Sequence, residues 1–139
     1  MKILDTNVVS ELTRPRPDPK VLEWVAQQSP SSLYITVITE AELRYGVELL
    51  YPGRRRSDLE AAVLQMIDVC FVGRILPFES DAAPVYAEIR AARRIIGRSI
   101  KELDCMIAAI ARVHGAAVAT RDLYGFENCG VEVVNPWMD

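Results

Sequence analysis

The stretch Lys2-Ile3-Leu4-Asp5-Thr6-Asn7 decides the fold of this 139-residue chain. Its apolar residues predict a buried strand that begins almost at the N-terminus and ends at an aspartate. In open α/β sheets, ligands bind in the crevice outside the carboxyl ends of the strands. We therefore expect Asp5 to stand at the edge of a parallel sheet, with three later acidic residues converging on it.

Strand and helix patterns alternate along the rest of the chain. Further strand-like apolar runs occupy residues 33–37, 74–78, 117–120 and 131–134. Helical periodicity fills the intervals at 18–28, 39–50, 57–70, 80–96 and 99–114. This alternation predicts βα units, a parallel sheet and helices on both of its faces. Since the length suits one domain and no linker or repeat divides the chain, we expect a single α/β/α domain over residues 1–139.

Capping residues predict where the helices begin. Asp18-Pro19 is typical of an N-cap followed by the first helical position. Three segments have the capping-box pattern, with an acid three positions after a hydroxyl residue: Thr39–Glu42, Ser57–Glu60 and Ser99–Glu102. The cluster Arg54-Arg55-Arg56 then falls in the preceding loop.

Composition limits the class of protein. The chain is 50% hydrophobic with a net charge of −3, which indicates a globular domain and argues against a dedicated nucleic-acid binder. It has no run of 18 apolar residues and no leader pattern, so we expect no membrane span, no signal peptide and a cytoplasmic location. Three cysteines without metal-like spacing and a single histidine, His114, offer no zinc site.

Four acidic residues stand out by their placement. Asp5 and Asp122 follow predicted strands, and Glu42 lies in the first turn of a predicted helix. Asp104 lies inside a nearly all-apolar helix, where aspartate is a poor helix former and a buried unpaired carboxylate is costly. The open alternative is that Asp5 and Asp122 are caps or turn formers and that Glu42 belongs to a capping box.

Four carboxylates at one point would repel each other, and a divalent cation relieves that repulsion. Oxygen ligands without histidine or cysteine suit Mg²⁺, or Mn²⁺, better than Zn²⁺. One or two ions would be possible, with positions left for water and a phosphate. Thr6, Asn7 and Thr120 are hydroxyl and amide groups suited to orienting the ligands, although each is equally suited to a turn or a cap.

These residues resemble the PIN-domain ribonucleases, in particular the VapC-type toxins of prokaryotic toxin–antitoxin pairs. The resemblance covers essentially the whole chain and follows the order of that family's four acidic motifs: Leu4-Asp5-Thr6-Asn7 with Ser10-Glu11, Thr39–Val47, Asp104 with Ile107-Ala108-Ala109, and Thr120-Arg121-Asp122. Three further segments resemble the FitB-like branch: Arg14-Pro15-Arg16-Pro17, Gly73–Phe78 and Asn135-Pro136-Trp137.

The resemblance implies a PIN-like fold with a five-stranded parallel sheet and a metal-dependent endoribonuclease acting on single-stranded or structured RNA. Asp5, Glu42, Asp104 and Asp122 would be the catalytic residues and metal ligands, and activated water would attack phosphorus to leave 3′-hydroxyl and 5′-phosphate ends. It also implies a homodimer and a cognate antitoxin, often of ribbon-helix-helix type. The antitoxin would cover the acidic pocket and bind operator DNA as part of the complex.

Basic and aromatic residues give weaker signals. Arg98, Lys101 and Arg121 are candidates for contacts with RNA phosphates, provided that the helix continues past Gly97 far enough to align the first two. A solvated helix face is an equal alternative. Tyr45 and Leu49, on the predicted helix of Glu42, are candidate antitoxin contacts.

Two other functions use an acidic pocket. A nucleic-acid-associated regulatory module would use it for assembly, with little or no cleavage. A phosphoacceptor receiver domain is disfavoured because Asp5 has no adjacent acid and no strand in the middle of the chain ends in an acceptor aspartate.

Overall fold

A computed structural model describes all residues, 1–139, and contains one sheet of five parallel strands in the order β3-β2-β1-β4-β5. The strands are β1 (Lys2–Leu4), β2 (Leu33–Thr36), β3 (Ile75–Leu76), β4 (Ala117–Ala119) and β5 (Val133–Val134). The first strand of the chain is the central one, and Lys2 lies opposite Leu33 on one side and Ala117 on the other. The carboxyl ends of β2, β1 and β4 are therefore neighbours.

Six helices cover both faces of the sheet. They are α1 (Thr6–Leu12), α2 (Pro19–Ala26), α3 (Val37–Glu48), α4 (Arg54–Gln65), α5 (Ala82–Ile95) and α6 (Glu102–His114). None of them combines the length and the apolar character that crossing a membrane requires. One core packs α5 and α6 against the sheet, and a second core packs α1 to α4 against it. The predicted three-layer α/β/α fold with a five-stranded parallel sheet is confirmed.

Most predicted helix starts were wrong. Thr36 at the end of β2 caps α3, its Oγ1 accepting from the N–H of Thr39 at 3.3 Å, so the helix begins three residues earlier than expected. Glu42 consequently lies in the second turn and is not a capping residue. The predicted boxes at Ser57 and Ser99 are also wrong, because α4 begins earlier, at Arg54 after Gly53, and α6 begins later, at Glu102 after Lys101.

The other boundary predictions had mixed outcomes. The cap at Asp18 is confirmed, since its Oδ1 accepts from the N–H of Lys20 at 2.9 Å and Pro19 opens α2. The arginines at 54–56 form the first turn of α4 and are not a loop. Of the three cysteines, Cys105 and Cys129 are buried and Cys70 is exposed.

Arg93 is a charged residue that occupies a place in the core. Arg93 is only 2% exposed, whereas its neighbour Ala92 is exposed. The guanidinium donates to the carbonyls of Arg98, Gly125 and Glu127 at 2.6, 2.9 and 2.9 Å, and it pairs with no carboxylate. Hydrogen bonds from a charged donor are stronger than neutral ones, so Arg93 ties α5 to the loop that follows β4.

Replacing Arg93 tests this tie. We expect Arg93→Met to lower the free energy of unfolding by about 3 kcal/mol, because it leaves three backbone carbonyls without their donor. Urea denaturation followed by circular dichroism measures the change. The neighbouring Arg94 is exposed, so Arg94→Met should remain within about 0.5 kcal/mol of the original chain. Equal stability of the two variants would contradict the structural role assigned to Arg93.

Candidate active site

All four predicted acids line one open cleft of about 900 Å³. The strand order explains their convergence: Asp5 directly follows the central strand β1, and Asp122 lies in the loop after β4. Glu42 is on α3, which leaves β2 on the other side of β1, and Asp104 is in the first turn of α6. The structure thus brings the four acids together as the sequence predicted. Their roles as metal ligands and catalytic residues stay predictions.

Asp5 is held on two sides at the bottom of the cleft. It is only 5% exposed, and its Oδ1 accepts from the N–H of Thr6 at 2.8 Å as the N-cap of α1. Its Oδ2 accepts from the hydroxyl of Thr120 at 2.8 Å. Burial raises the pKa of Asp5, with Glu42 and Asp122 adding to the effect and the two hydrogen bonds opposing it. Asp5 is therefore both the helix cap of the alternative interpretation and the innermost acid of the cleft.

The three predicted supporting residues all bond within the cleft wall. The hydroxyl of Thr6 donates to Oε1 of Glu42 at 2.7 Å, which joins the start of α1 to α3. The hydroxyl of Thr120, besides donating to Asp5, accepts from Nδ2 of Asn7 at 3.1 Å. These bonds fix the orientation of two acids before any ligand arrives, which is how groups behind a metal ligand act.

Asp104 differs from the other three acids because its carboxylate accepts no hydrogen bond from the protein. Burial raises its pKa to about 6, and the negative charges of Asp5 and Glu42 contribute, while Lys101 works in the opposite direction. Aspartate is unfavourable in such a helix for stability alone. Its half-buried carboxylate has its oxygens free for a ligand.

The residues of the cleft fit a hard divalent cation by their chemistry. Its lining contains carboxylate, hydroxyl and amide oxygens and neither histidine nor cysteine, which favours Mg²⁺ or Mn²⁺ over Zn²⁺. As the side chains are oriented here, no three acids are close enough to hold one ion together. Three of the four instead accept protein donors: Thr6 and Thr120 at Asp5, Thr6 at Glu42, and Gly125 at Asp122.

The basic candidates separate into two groups. Lys101 and Arg121 line the cleft. Arg98 does not, because α5 ends at Ile95 and Gly97, with a positive φ, prevents the helix from continuing to Arg98 and Lys101. The guanidinium of Arg98 pairs instead with Glu127 at 2.8 Å and lies over the ring of Tyr124. The structure therefore gives Arg98 no place beside the acids.

Sequence reasoning missed the part that Glu11 plays at this site. Glu11 is only 7% exposed, yet it lines the cleft and accepts from Arg14 at 3.1 Å and from the N–H of Asp18 at 2.9 Å. An acid between the apolar residues Val9 and Leu12 is the same signal that singles out Asp104, and it could have identified Glu11.

A glycine also shapes the site. The N–H of Gly125 donates to Oδ1 of Asp122 at 2.9 Å, and a Cβ on Gly125 would lie 2.4 Å from Oδ2 of the same carboxylate. The carbonyl of Gly125 is one of those that Arg93 holds. Because both sides of the turn are fixed, the carboxylate of Asp122 keeps its place only while residue 125 lacks a side chain.

We expect Gly125→Ala to displace Asp122 and to weaken Mn²⁺ binding about tenfold, the lower end of the effect of disturbing a ligand's support. Titration calorimetry with Mn²⁺ measures this directly. The matched control is Gly46→Ala within α3, where an added Cβ meets nothing within 4 Å. It should keep the affinity and gain up to about 1 kcal/mol of stability. The same affinity in both variants would exclude the proposed effect on Asp122.

The raised pKa of Asp104 predicts how the metal-free protein depends on pH. Its pKa is about 6 when folded against an ordinary 3.8, so the folded chain binds more protons in that interval and loses stability as the pH rises through it. Asp104→Asn removes the charge and should raise the melting temperature by about 3 °C or more at pH 8 in EDTA. The gain should shrink towards pH 5.

Differential scanning calorimetry between pH 5 and pH 8 measures this gain. Asp68→Asn serves as the control because Asp68 is exposed and lies outside the cleft. A gain for Asp104→Asn that did not vary with pH would show that charge repulsion is not its cause.

Comparison with known proteins places the chain in a family. The family model of the PIN domain matches residues 2–129. The chain is 42% identical to VapC ribonuclease Y4jK of Sinorhizobium fredii, over 99% of this chain and 98% of that protein. It is 43% identical to Toxin FitB of Neisseria gonorrhoeae, over the full length of both.

Solved structures agree with these sequence matches. The structure of FitAcB from Neisseria gonorrhoeae superposes with a TM-score of 0.92 at 42% identity and covers all of both chains. That of FitAB bound to an IR36 DNA fragment gives a TM-score of 0.91 at 42% identity, over 99% of this chain and 96% of the other. The chain therefore belongs to the PIN-domain family and, within it, to the relatives of VapC and FitB.

Proposed function

We propose that this protein is the toxin of a type II toxin–antitoxin pair and a metal-dependent endoribonuclease that hydrolyses phosphodiester bonds of RNA. The observation that carries the proposal is the single cleft that Asp5, Glu42, Asp104 and Asp122 all line. The relatives named as a VapC ribonuclease and as the toxin FitB support it.

The four acids would hold Mg²⁺, with Mn²⁺ as a substitute. When bound, the ion supplies positive charge at the scissile phosphate and lowers the pKa of water. The protein orients one ligand in advance. Thr6 and Thr120 fix the carboxylate of Asp5, which therefore needs little rearrangement when the metal binds. Lys101 stands at the edge of the cleft and attracts the phosphate. The expected products carry 3′-hydroxyl and 5′-phosphate ends.

The partners proposed for this toxin are an antitoxin, of ribbon-helix-helix type, and operator DNA bound through the complex, with the toxin as a homodimer in the cytoplasm. The solved complexes of FitAB with DNA and of FitAcB support this. A groove of about 1030 Å³ between α1, α3 and α4 adjoins the acidic cleft and shares Ser10, Arg14 and Glu42 with it. Tyr45 on α3 and Leu49 at the C-cap of that helix are exposed, as expected for antitoxin contacts.

The second candidate is a regulatory module in which the acidic pocket serves assembly and cleaves little or no RNA. One observation favours it: three of the four acids are bonded to protein donors, and no three converge on a common point. Rotation of the Asp104 side chain, which no protein donor holds, towards Asp5 and Glu42 on metal binding would remove that objection.

Cleavage of labelled RNA by protein freed of any antitoxin decides between the two candidates. We expect cutting with Mg²⁺ or Mn²⁺ and none in EDTA, and at least about a 100-fold lower rate for Asp104→Asn, since even groups behind a ligand are worth 10- to 100-fold. The control Asp68→Asn removes an exposed carboxylate outside the cleft and should cut at the original rate.

The other outcomes are also informative. Equal cutting by the original chain and Asp104→Asn would point to a contaminating nuclease or to a different site. Absence of both cutting and Mn²⁺ binding would support the regulatory module.

A further inference from the structure

We propose that a side cleft lined by Arg14, Arg16, Arg121 and Trp137 binds the RNA strand where it leaves the acidic cleft. This inference rests on the proposed ribonuclease function and names the path of its substrate. The side cleft has a volume of about 490 Å³. It shares Glu11, Arg14, Arg121 and Trp137 with the acidic cleft, so the two form one continuous surface.

The charge of the side cleft is opposite to that of the acidic cleft. Arg16 and Arg121 form no ion pair within the protein. The two acids of the side cleft are already engaged, Glu11 by Arg14 and the N–H of Asp18, and Asp18 by the N–H of Lys20. The surface therefore offers positive charge in a chain whose net charge is −3.

The electrostatics of cleavage require such a surface. One phosphate must approach the acids, but phosphates on either side of it would be repelled by any carboxylate charge left uncompensated. Arginines beside the acids give a flanking phosphate a favourable position, because the planar guanidinium binds phosphate with two hydrogen bonds. The proposed path of the RNA thus leads away from the four acids of the acidic cleft towards Arg14 and Arg16.

The arrangement of Arg121 favours a nucleotide over an acidic protein segment. Its guanidinium lies 5.0 Å from the centre of the ring of Trp137, a buried residue whose backbone N–H donates to Oδ1 of Asn135 at 2.9 Å. The backbone N–H of Arg121 donates to Asn7 at 3.3 Å. The guanidinium of Arg121 is planar and lies against Trp137 on one face, so its other face can stack against a base. An acidic peptide would need only a positive charge and not this planar face.

Two variants separate charge from stacking. Arg16→Gln removes a charge that has no partner in the protein, and Arg121→Lys keeps the charge but loses the planar face. Arg14 is unsuitable, because its removal would leave the buried Glu11 without its cation. Arg94→Gln is the matched control, since Arg94 is exposed, forms no ion pair and lies outside both clefts.

The measurement is the binding of a fluorescently labelled single-stranded RNA in EDTA, where the metal-dependent reaction cannot proceed, over a series of NaCl concentrations. Arg16→Gln should reduce the slope of log K against log salt by about 0.7, the contribution of one phosphate contact on a single strand. Arg121→Lys should keep the slope and weaken binding about fivefold or more. Arg94→Gln should change neither quantity.

Each other result overturns the inference in a recognisable way. If the original chain binds and cuts RNA but Arg16→Gln and Arg121→Lys behave like Arg94→Gln, the side cleft is not the path and the ribonuclease proposal stands. If the variants lose affinity for the antitoxin and not for RNA, the surface belongs to a protein partner. If the original chain neither binds nor cuts RNA, the proposed function fails and the path fails with it.

Discussion

The carboxylate of Asp5 is the constraint on which the rest of the site depends. It stands at the end of the central strand, capping α1 through Thr6 and accepting a hydrogen bond from Thr120 after β4. One buried group thus joins a strand, the helix that follows it and the loop after the neighbouring strand. A buried charge without such donors would be very costly, so the backbone N–H of Thr6 and the hydroxyl of Thr120 are required for stability as well as for the position of the acid.

The carboxylates of the cleft repel each other, and the rest of the fold must offset this repulsion. Asp104 is held close enough to Asp5 and Glu42 for their charges, with burial, to raise its pKa to about 6. A helix chosen for stability alone would carry an apolar residue there, in keeping with its neighbours Cys105 and Ile107. The two large cores on either face of the sheet supply the stability that makes this repulsion tolerable. Such a local conflict between propensity and structure is expected at functional sites.

The sequence predicted the layers of the fold and the convergence of the acids, because both follow from short patterns. Apolar runs ending in Asp5 or Thr120 determine strands, and parallel strands bring their ends to one edge. Where a helix begins depends on which of several nearby hydroxyl residues lies at the end of the preceding strand. In α3 the N-cap is therefore Thr36 and not Thr39. Arg93 was beyond prediction, since its contacts join segments more than 30 residues apart and no local pattern marks it. The effect of Gly125 on Asp122 is local, but it depends on the geometry of a turn that the sequence alone does not define.

The overall charge of this chain is a poor guide to its ligand. A net charge of −3 argues against a nucleic-acid binder, yet four of the acids lie together in one cleft, where a cation would change the sign of the field. The arginines beside that cleft matter for the same reason. Coulomb interactions are screened over about 8–10 Å at physiological salt, so a phosphate near Arg16 and Arg121 responds to these local charges more than to the total. Under the proposed function, affinity for RNA would be set by neighbouring surfaces of opposite charge, and the net charge of the whole chain does not reveal such surfaces.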